Sequence, residues 1–427
     1  MRRREGAAPV PGGAPLHRNS EYLRWLLGDL LLDIGAGIGA FAFPLITFMV
    51  TGSMGTTGLV ALVQGLGAVV GMIPGGLLAD RVERRRLRLL AGLTGAAVQL
   101  ALVVVLLGGW AGAVLLAVIA FLDRLRETAL GSASNAMLKQ IVPTRQLPRA
   151  VSVNQGREAA VEMASGPVGG ALLGISLVFP PLAHLLGNLG SVLATLSMRG
   201  RYLPRTEGSA PTRLVDDLRE AVAWIRTQPI RLQMLSVSCA VNLGANGLLF
   251  TVMLDLADQG VPATRIGLLN TALAASILLG AFLAPRLVDT VPTGVLAIAP
   301  VGLMALVGVL LPLAPSMVIG VGYALLGIGL PAINASGQGF FTHITPVAMQ
   351  GRVSALMRMV SLGVMTLAPA LAGWGLDLAG ATPTLLLFAG VLALGTVVGV
   401  LSRDLRRLPV SSRWEAHALA EGLSVPE

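Results

Sequence analysis

Ionisable residues set inside long apolar stretches are where this sequence offers chemistry. Asp29 and Asp33 stand four residues apart in LLGDLLLDIG, so a helix presents both on one face. Asp123, Arg124, Arg126 and Glu127 interrupt AVIAFLDRLRETALG, and Arg157, Glu158 and Glu162 interrupt the next apolar run. Later in the chain only Asp255, Arg358 and Asp377 occupy comparable places. In an apolar medium an unpaired charge finds a partner or changes its protonation. A guanidinium close to two or three carboxylates is thus a device for proton exchange: protonating one acid would release the Arg, or a cationic substrate group would replace it. The same residues would also serve as static salt bridges between helices, or face an aqueous vestibule.

Depth separates the candidates. At about 1.5 Å per residue, Glu162 lies roughly 18 Å along its helix, Arg124 about 20 Å in from the opposite side, and Asp33 roughly 15 Å in. All three fall near the midplane of a hydrocarbon core about 30 Å thick. Asp33 and Glu162 are therefore the leading expected proton carriers, with Arg124 at similar depth. Glu158, the shallower Asp29, and Arg157 complete the candidate set. Asn242, Asn246, Asn334 and Gln338 would line the later half of a cavity, or bond helix to helix.

The elements that position these residues are membrane helices. The 427 residues are 54% hydrophobic and 12% charged, about half the charge of a soluble domain, and the mean hydropathy is +0.77. No Asp, Glu, Lys or Arg occurs in 34–79, 89–122, 163–198, 232–254, 290–351 or 378–402. A crossing needs roughly 20 apolar residues, so several of these runs hold two helices and a turn. The expected crossings are 23–50, 56–79, 88–108, 111–138, 151–176, 180–199, 231–254, 264–286, 293–312, 316–341, 352–376 and 382–402. The runs are too long and continuous for barrel strands, which alternate over about ten residues. The expected fold is all-α, about twelve transmembrane helices in two pseudo-symmetric six-helix bundles.

Basic residues fix the topology. Arg2 to Arg4, the RVERRRLR cluster at 81–88, Lys139, Arg145, Arg149, Arg199 to Arg231, Arg286, Arg352 and Arg403 to Arg413 fall in one set of connections. Only Arg265 falls in the other set, so both termini are expected in the cytoplasm. The net charge of +9 is this topology signal and implies no nucleic-acid partner. Residues 1–22 read as a cytoplasmic tail, 23–199 and 231–402 as the bundles, and 403–427 as a second tail. Between the bundles, 200–230 reads as a linker with an amphipathic helix whose apolar face is Leu214, Leu218, Ala221, Val222 and Ile225. GGLLADRV at 75 and GAFLAPRL at 280 stand at an offset of 280 − 75 = 205. RAVS at 149 with RVS at 352, and GPVGGALLG at 166 with APALAGWGL at 368, give offsets of 203 and 202. That is the signature of two parallel copies.

Other chemistries find no support. Cys239 is the single cysteine, and the four histidines lack ligand spacing. The first apolar run is too long for a signal peptide, so it is read as a retained helix. No GxxxxGK[ST] is present, and GAGIG at 35–39 follows no strand. Neither an enzyme activity nor a cofactor or metal is expected.

The most specific motif is GGLLADRVERRRLR at 75–88. It resembles the helix 2–3 signature of the major facilitator superfamily, carried here by Gly76, Asp80, Arg81, Arg84 and Arg85. The family usually has Gly where Glu83 stands; an acid there is similar to the drug/proton antiporter branch with enterobactin- and macrolide-exporter-like proteins. Gly76 would permit close helix packing, and Asp80 would accept hydrogen bonds from a helix N-terminus. The resemblance implies that this N-terminus is near Gly351 and Arg352, forming a cytoplasmic gate. GPVGG, with Gly166, Pro167, Gly169 and Gly170, resembles the helix 5 signature of antiporters; Pro167 would bend the helix and the glycines admit a neighbour. NSEYLRWLLGDLLLDIG, VPTRQLPRAVSVNQGRE and ITPVAMQGRVSAL resemble further segments of that branch. The resemblance implies a proton-coupled exporter of a small hydrophobic or amphipathic molecule, working by alternating access as a monomer in the cell membrane. A non-transporting receptor or assembly protein of the same fold, and a proton-coupled importer or facilitator, stand as alternatives.

Overall fold

The computed structural model describes residues 15–131, 133–200, 202–203, 214–313 and 316–423. The tail segment 1–14, the linker stretch 204–213 and the side chains of Asp80 and Leu214 lie outside the described residues. Every regular element described is a helix. They run α1 Ser20–Thr51, α2 Met54–Arg81, α3 Arg84–Leu107, α4 Ala113–Gly131, α5 Ala133–Ile141, α6 Leu147–Ile175 and α7 Phe179–Ser197. Then follow α8 Leu214–Arg226, α9 Pro229–Asp258, α10 Ala263–Thr290, α11 Thr293–Leu310, α12 Ser316–Ile328, α13 Leu330–Ile344, α14 Val347–Ala379 and α15 Ala381–Leu401. Two short helices close the chain, α16 Arg403–Arg406 and α17 Trp414–Ala420.

Among the described residues nine helical spans are long and apolar enough to cross a membrane. The remaining expected crossings fall on α4 with α5, on α6 and on α7. Their hydropathy is diluted by the residues of interest: charges in α4 and α6, and Pro180, Pro181, His184 and Asn188 in α7. Local signals explain the ends. Asn19 caps α1 by accepting from the backbone N–H groups of Glu21 and Tyr22. The helix stops at Gly52, whose φ of 64° is a conformation suited to glycine. The tenth expected crossing is interrupted at Gly329, between α12 and α13, where a Cβ would press against Pro300.

The chain forms two compact units. Unit 1 holds residues up to Gly52, Val63–Glu207 and Pro262–Leu268; unit 2 holds Ser53–Leu62, Gly208–Val261 and Leu269 onward. The division is subtler than a cut in the linker, because the first turns of α2 cluster with unit 2 and those of α10 with unit 1. Glycines explain this within each unit. A Cβ at Gly267 would collide with the Gly166 carbonyl, and one at Gly170 with the Ala263 carbonyl. In unit 2 a Cβ at Gly58 would collide with the Pro369 carbonyl, and one at Gly373 with the Met54 carbonyl. Small residues at these places let backbones touch.

In unit 1, α1 packs on α6 and α7, and α3 packs on α4 and α7. In unit 2, α9 packs on α14 and α15, and α11 on α15. The amphipathic α8 lies on α14. Its Ala221 and Ile225 are buried against Phe341, Val353 and Leu356, with Leu218 and Val222 alongside. That is the face read from the sequence, burying its apolar stripe on unit 2.

Candidate functional site

Within unit 1 the helices gather a group of charges around one face of α1. Trp25, Asp29 and Asp33 recur every four residues and so share that face. Arg88 of α3 and Arg157 of α6 point to it. Arg88 Nη1 lies 2.7 Å from Asp29 Oδ1. Arg157 Nη2 lies 2.7 Å from Asp33 Oδ2, with the Glu158 carboxylate 3.7 Å away. Arg157 Nη1 stands 3.6 Å from Asp29 Oδ2. Two guanidiniums thus meet three carboxylates.

Burial grades the group. The side chains of Arg88, Asp29 and Arg157 are 3%, 8% and 9% exposed, against 34% for Asp33 and 51% for Glu158. The buried end is tightly bonded. Arg88 Nε donates to Thr195 Oγ1 at 2.9 Å and Nη2 to the Trp25 carbonyl at 3.0 Å. Ser134 Oγ sits 2.7 and 2.8 Å from the two Asp29 oxygens, and Trp25 Nε1 donates to Ser134 Oγ at 2.9 Å. The other end is under-bonded: Arg157 Nε and Nη1 are buried with no hydrogen-bond acceptor. Glu158 accepts from Asn154 Nδ2 at 2.7 Å. Partly exposed carboxylates facing an under-bonded buried guanidinium form an arrangement able to bind and release a proton or a polar ligand group.

Several expectations change here. Arg124 does not join Asp33 or Glu162; it bonds Glu127 on its own helix at 2.7 Å and is half exposed. The arginine at Asp33 is Arg157. Glu162 is exposed and, among the described residues, makes no ion pair. Asp29, expected to be shallow, is the most enclosed of the acids. A second polar layer ties α4 to α3: Arg126 Nε donates to Asp123 Oδ1 at 2.9 Å and Gln99 Nε2 to Asp123 Oδ2 at 3.1 Å. Arg88 was missed by sequence reasoning, although it stands in a stretch that was singled out, because it ends a basic cluster that topology already explained.

The motif residues have specific places. Gly76 has open space beside it, while a Cβ at Gly75 would press on the Thr128 carbonyl, so the close-packing glycine is Gly75. Arg85 donates to the Thr195 and Leu196 carbonyls at 3.3 and 3.0 Å, at the C-terminus of α7, where a cation is favoured. Arg84 N–H donates to the Tyr202 carbonyl at 3.0 Å, and Arg81 is exposed. The Tyr202 hydroxyl donates to Glu21 at 2.7 Å. Burial and that carboxylate push the Tyr202 pKa upward. In α6, Gly169 packs on Phe41 and Ile38 of α1, and the Gly166 carbonyl abuts Gly267, so the glycines beside Pro167 do admit neighbours. Gly351 has open space beside it.

Unit 2 places its charges differently. Arg352 Nε lies 2.8 Å from Asp217 of α8, and its guanidinium also pairs with Glu220. Asp377 captures the start of α2: its carboxylate accepts from the N–H groups of Met54 and Gly55 at 3.2 and 2.9 Å and from Ser53 Oγ at 3.1 Å. Asn242 and Asn246 donate to the carbonyls four residues back, Ser238 and Asn242. Asn334 and Gln338 share an exposed face of α13. Among the described residues no group of His, Cys, Asp and Glu is arranged to hold a metal ion.

Comparison with known proteins agrees with this architecture. The chain is 27% identical over 406 residues to the enterobactin exporter EntS of Shigella flexneri, covering 89% of this chain and 91% of that protein. EntS of Escherichia coli O6:K15:H31 matches with the same identity and coverage. Among solved structures, a mutant of the nucleoside transporter NupG superposes with a TM-score of 0.75 at 12% identity, covering 90% of this chain and 99% of that one. A bacterial homologue of the iron transporter ferroportin gives 0.69 at 16% identity, covering 91% and 99%. The Major Facilitator Superfamily model matches residues 26–254 and 235–423. With the all-α two-unit fold, these findings make the chain a multi-pass membrane protein and a secondary transporter of small molecules, a member of the Major Facilitator Superfamily.

Proposed function

We propose that this transporter exports a small hydrophobic or amphipathic molecule in exchange for protons. It works by alternating access as a monomer in the cell membrane, with both termini cytoplasmic. The observation that carries the coupling is the charge balance in unit 1. Arg88 and Arg157 face Asp29, Asp33 and Glu158, so full ionisation leaves one negative charge uncompensated. An uncompensated charge at the centre of a membrane helix costs at least about 2.5–3.5 kcal/mol on insertion scales, and less at the half-exposed Glu158 carboxylate. One proton, or one cationic group of a substrate, removes it. Asp33 and Glu158 are the more exposed acids of the group, and Arg157 is the partner released when either is protonated.

Export, and a siderophore-like substrate class, are supported by the similarity to an enterobactin exporter over nearly the whole chain. The test is proton flux in proteoliposomes with a pH dye in the lumen. Adding enterobactin under an imposed pH gradient should dissipate that gradient as the siderophore accumulates on the acidic side. Accumulation that proceeds equally without a gradient, with no lumenal pH change, would refute proton exchange.

A further inference from the structure

We propose that Arg88 is a positioning residue for this site: by neutralising Asp29 it leaves the Arg157 guanidinium to serve Asp33 and Glu158. The inference deepens the proton-exchange reading and rests on it. Three features set Arg88 apart from the basic cluster it ends, and a fourth observation concerns its neighbour Arg157. Its side chain is 3% exposed, whereas Arg86, two residues earlier, is 77% exposed and pairs with Glu83 in its own turn. It bonds three other helices at once, through Trp25 and Asp29 of α1, Ser134 of α5 and Thr195 of α7. Gly28 makes room for it, since a Cβ there would collide with Arg88 Nη2. Finally, Arg157 is drawn to both acids of α1, at 3.6 Å from Asp29 and 2.7 Å from Asp33.

Partner competition follows from these distances. Asp29 lies between two guanidiniums and takes the nearer, Arg88 at 2.7 Å. Without Arg88, Asp29 is a buried anion whose remaining cation is Arg157, and such an anion holds its one partner tightly. Arg157 then swings from Asp33 toward Asp29. The charged groups acting on Asp33 are Arg157 and Glu158 of α6, Asp29 of its own helix and Arg88 of α3; Tyr22 of α1 faces Arg157. Removing Asp29 has the opposite effect, since Arg157 is then undivided. Removing Arg88 and Asp29 together deletes a neutral pair and restores the Arg157–Asp33 contact.

The opposed signs give a test that needs no transported substrate. In the purified full-length protein in lipid nanodiscs, the infrared carboxylic-acid C=O band removed by Asp33→Asn is followed across pH. We expect Arg88→Gln to move the midpoint of that band about one unit to higher pH and Asp29→Asn to move it to lower pH, as expected for an acid losing or gaining a nearby cation. The double variant should return within a few tenths of a unit of wild type. Arg88→Lys keeps the charge and should stay near wild type, which covers the case in which Arg88→Gln does not fold. A merely structural Arg88 would leave the midpoint in place, and the double variant would then be no closer to wild type than either single one. Either of those results overturns the inference. If Asp33→Asn removes no titrating band, the proton-exchange reading at Asp33 fails instead.

Discussion

In unit 1 Arg88, Arg157, Asp29 and Asp33 meet between α1, α3 and α6, whereas the ion pairs of unit 2 lie at helix ends. Arg352, at the start of α14, binds Asp217 and Glu220 of α8, and Arg231, at the start of α9, lies 3.6 Å over the Trp224 ring. Asp377, near the end of α14, binds the first N–H groups of α2. A charge at a helix end needs little: a dipole, a few N–H groups and nearby water serve it. A charge along the middle of α1 needs a counter-charge at every stage of a transport cycle. On the proposed coupling, proton handling falls to unit 1, while the charged groups described in unit 2 tie helix ends.

Variants on each side of this contrast should differ in size. The largest effect belongs to Arg157→Ala, which strips Asp33 of its partner; losing one member of a fully buried pair costs about 3–5 kcal/mol, and the loss should fall below that because Asp33 is 34% exposed. Thermal unfolding in detergent should show a drop of several degrees, with active transport lost. Asp377→Ala removes a carboxylate that caps α2 and should cost about 0.5–2 kcal/mol in the same assay, with Asp377→Asn falling between. Arg352→Ala breaks a partly exposed pair worth about 0.2–1 kcal/mol, and Arg352→Lys, which keeps a cation beside Asp217 and Glu220, should retain most of it. Smallest is Asn246→Ala, since its amide bonds its own helix; intramembrane bonds between helices average about 0.6 kcal/mol, and this one should be worth no more. An Arg352→Ala loss as large as that of Arg157→Ala would erase the contrast.

The helices were legible because charge-free runs long enough to cross a bilayer state the solvent directly, and the amphipathic stripe of α8 was legible because its period matches the helix. The site was legible in part. Asp29 and Asp33 could be paired from their spacing alone, but Arg124 was matched to Asp33 by depth, and depth ignores azimuth. Arg124 and Arg126 lie two residues apart, about 200° around a helix. Arg126 therefore turns inward to Asp123 while Arg124 turns to Glu127. Arg88 was hidden by a sufficient explanation, since a basic loop accounts for any arginine within it. Asp377 captures the N-terminus of α2, at a helix end that carried no motif, while the side chain of Asp80, where such a capture is expected, lies outside the described residues.

The proposed coupling of protons to substrate movement runs through Asp33, held by Arg157. It is tested most directly by comparing pH-gradient-driven accumulation with counterflow exchange in proteoliposomes carrying Asp33→Asn, using enterobactin as the probe across several pH values. Accumulation should collapse and lose its pH dependence while counterflow persists, because the neutral amide mimics the protonated acid permanently. An Asp33→Asn protein that still concentrates enterobactin with wild-type pH dependence would contradict it.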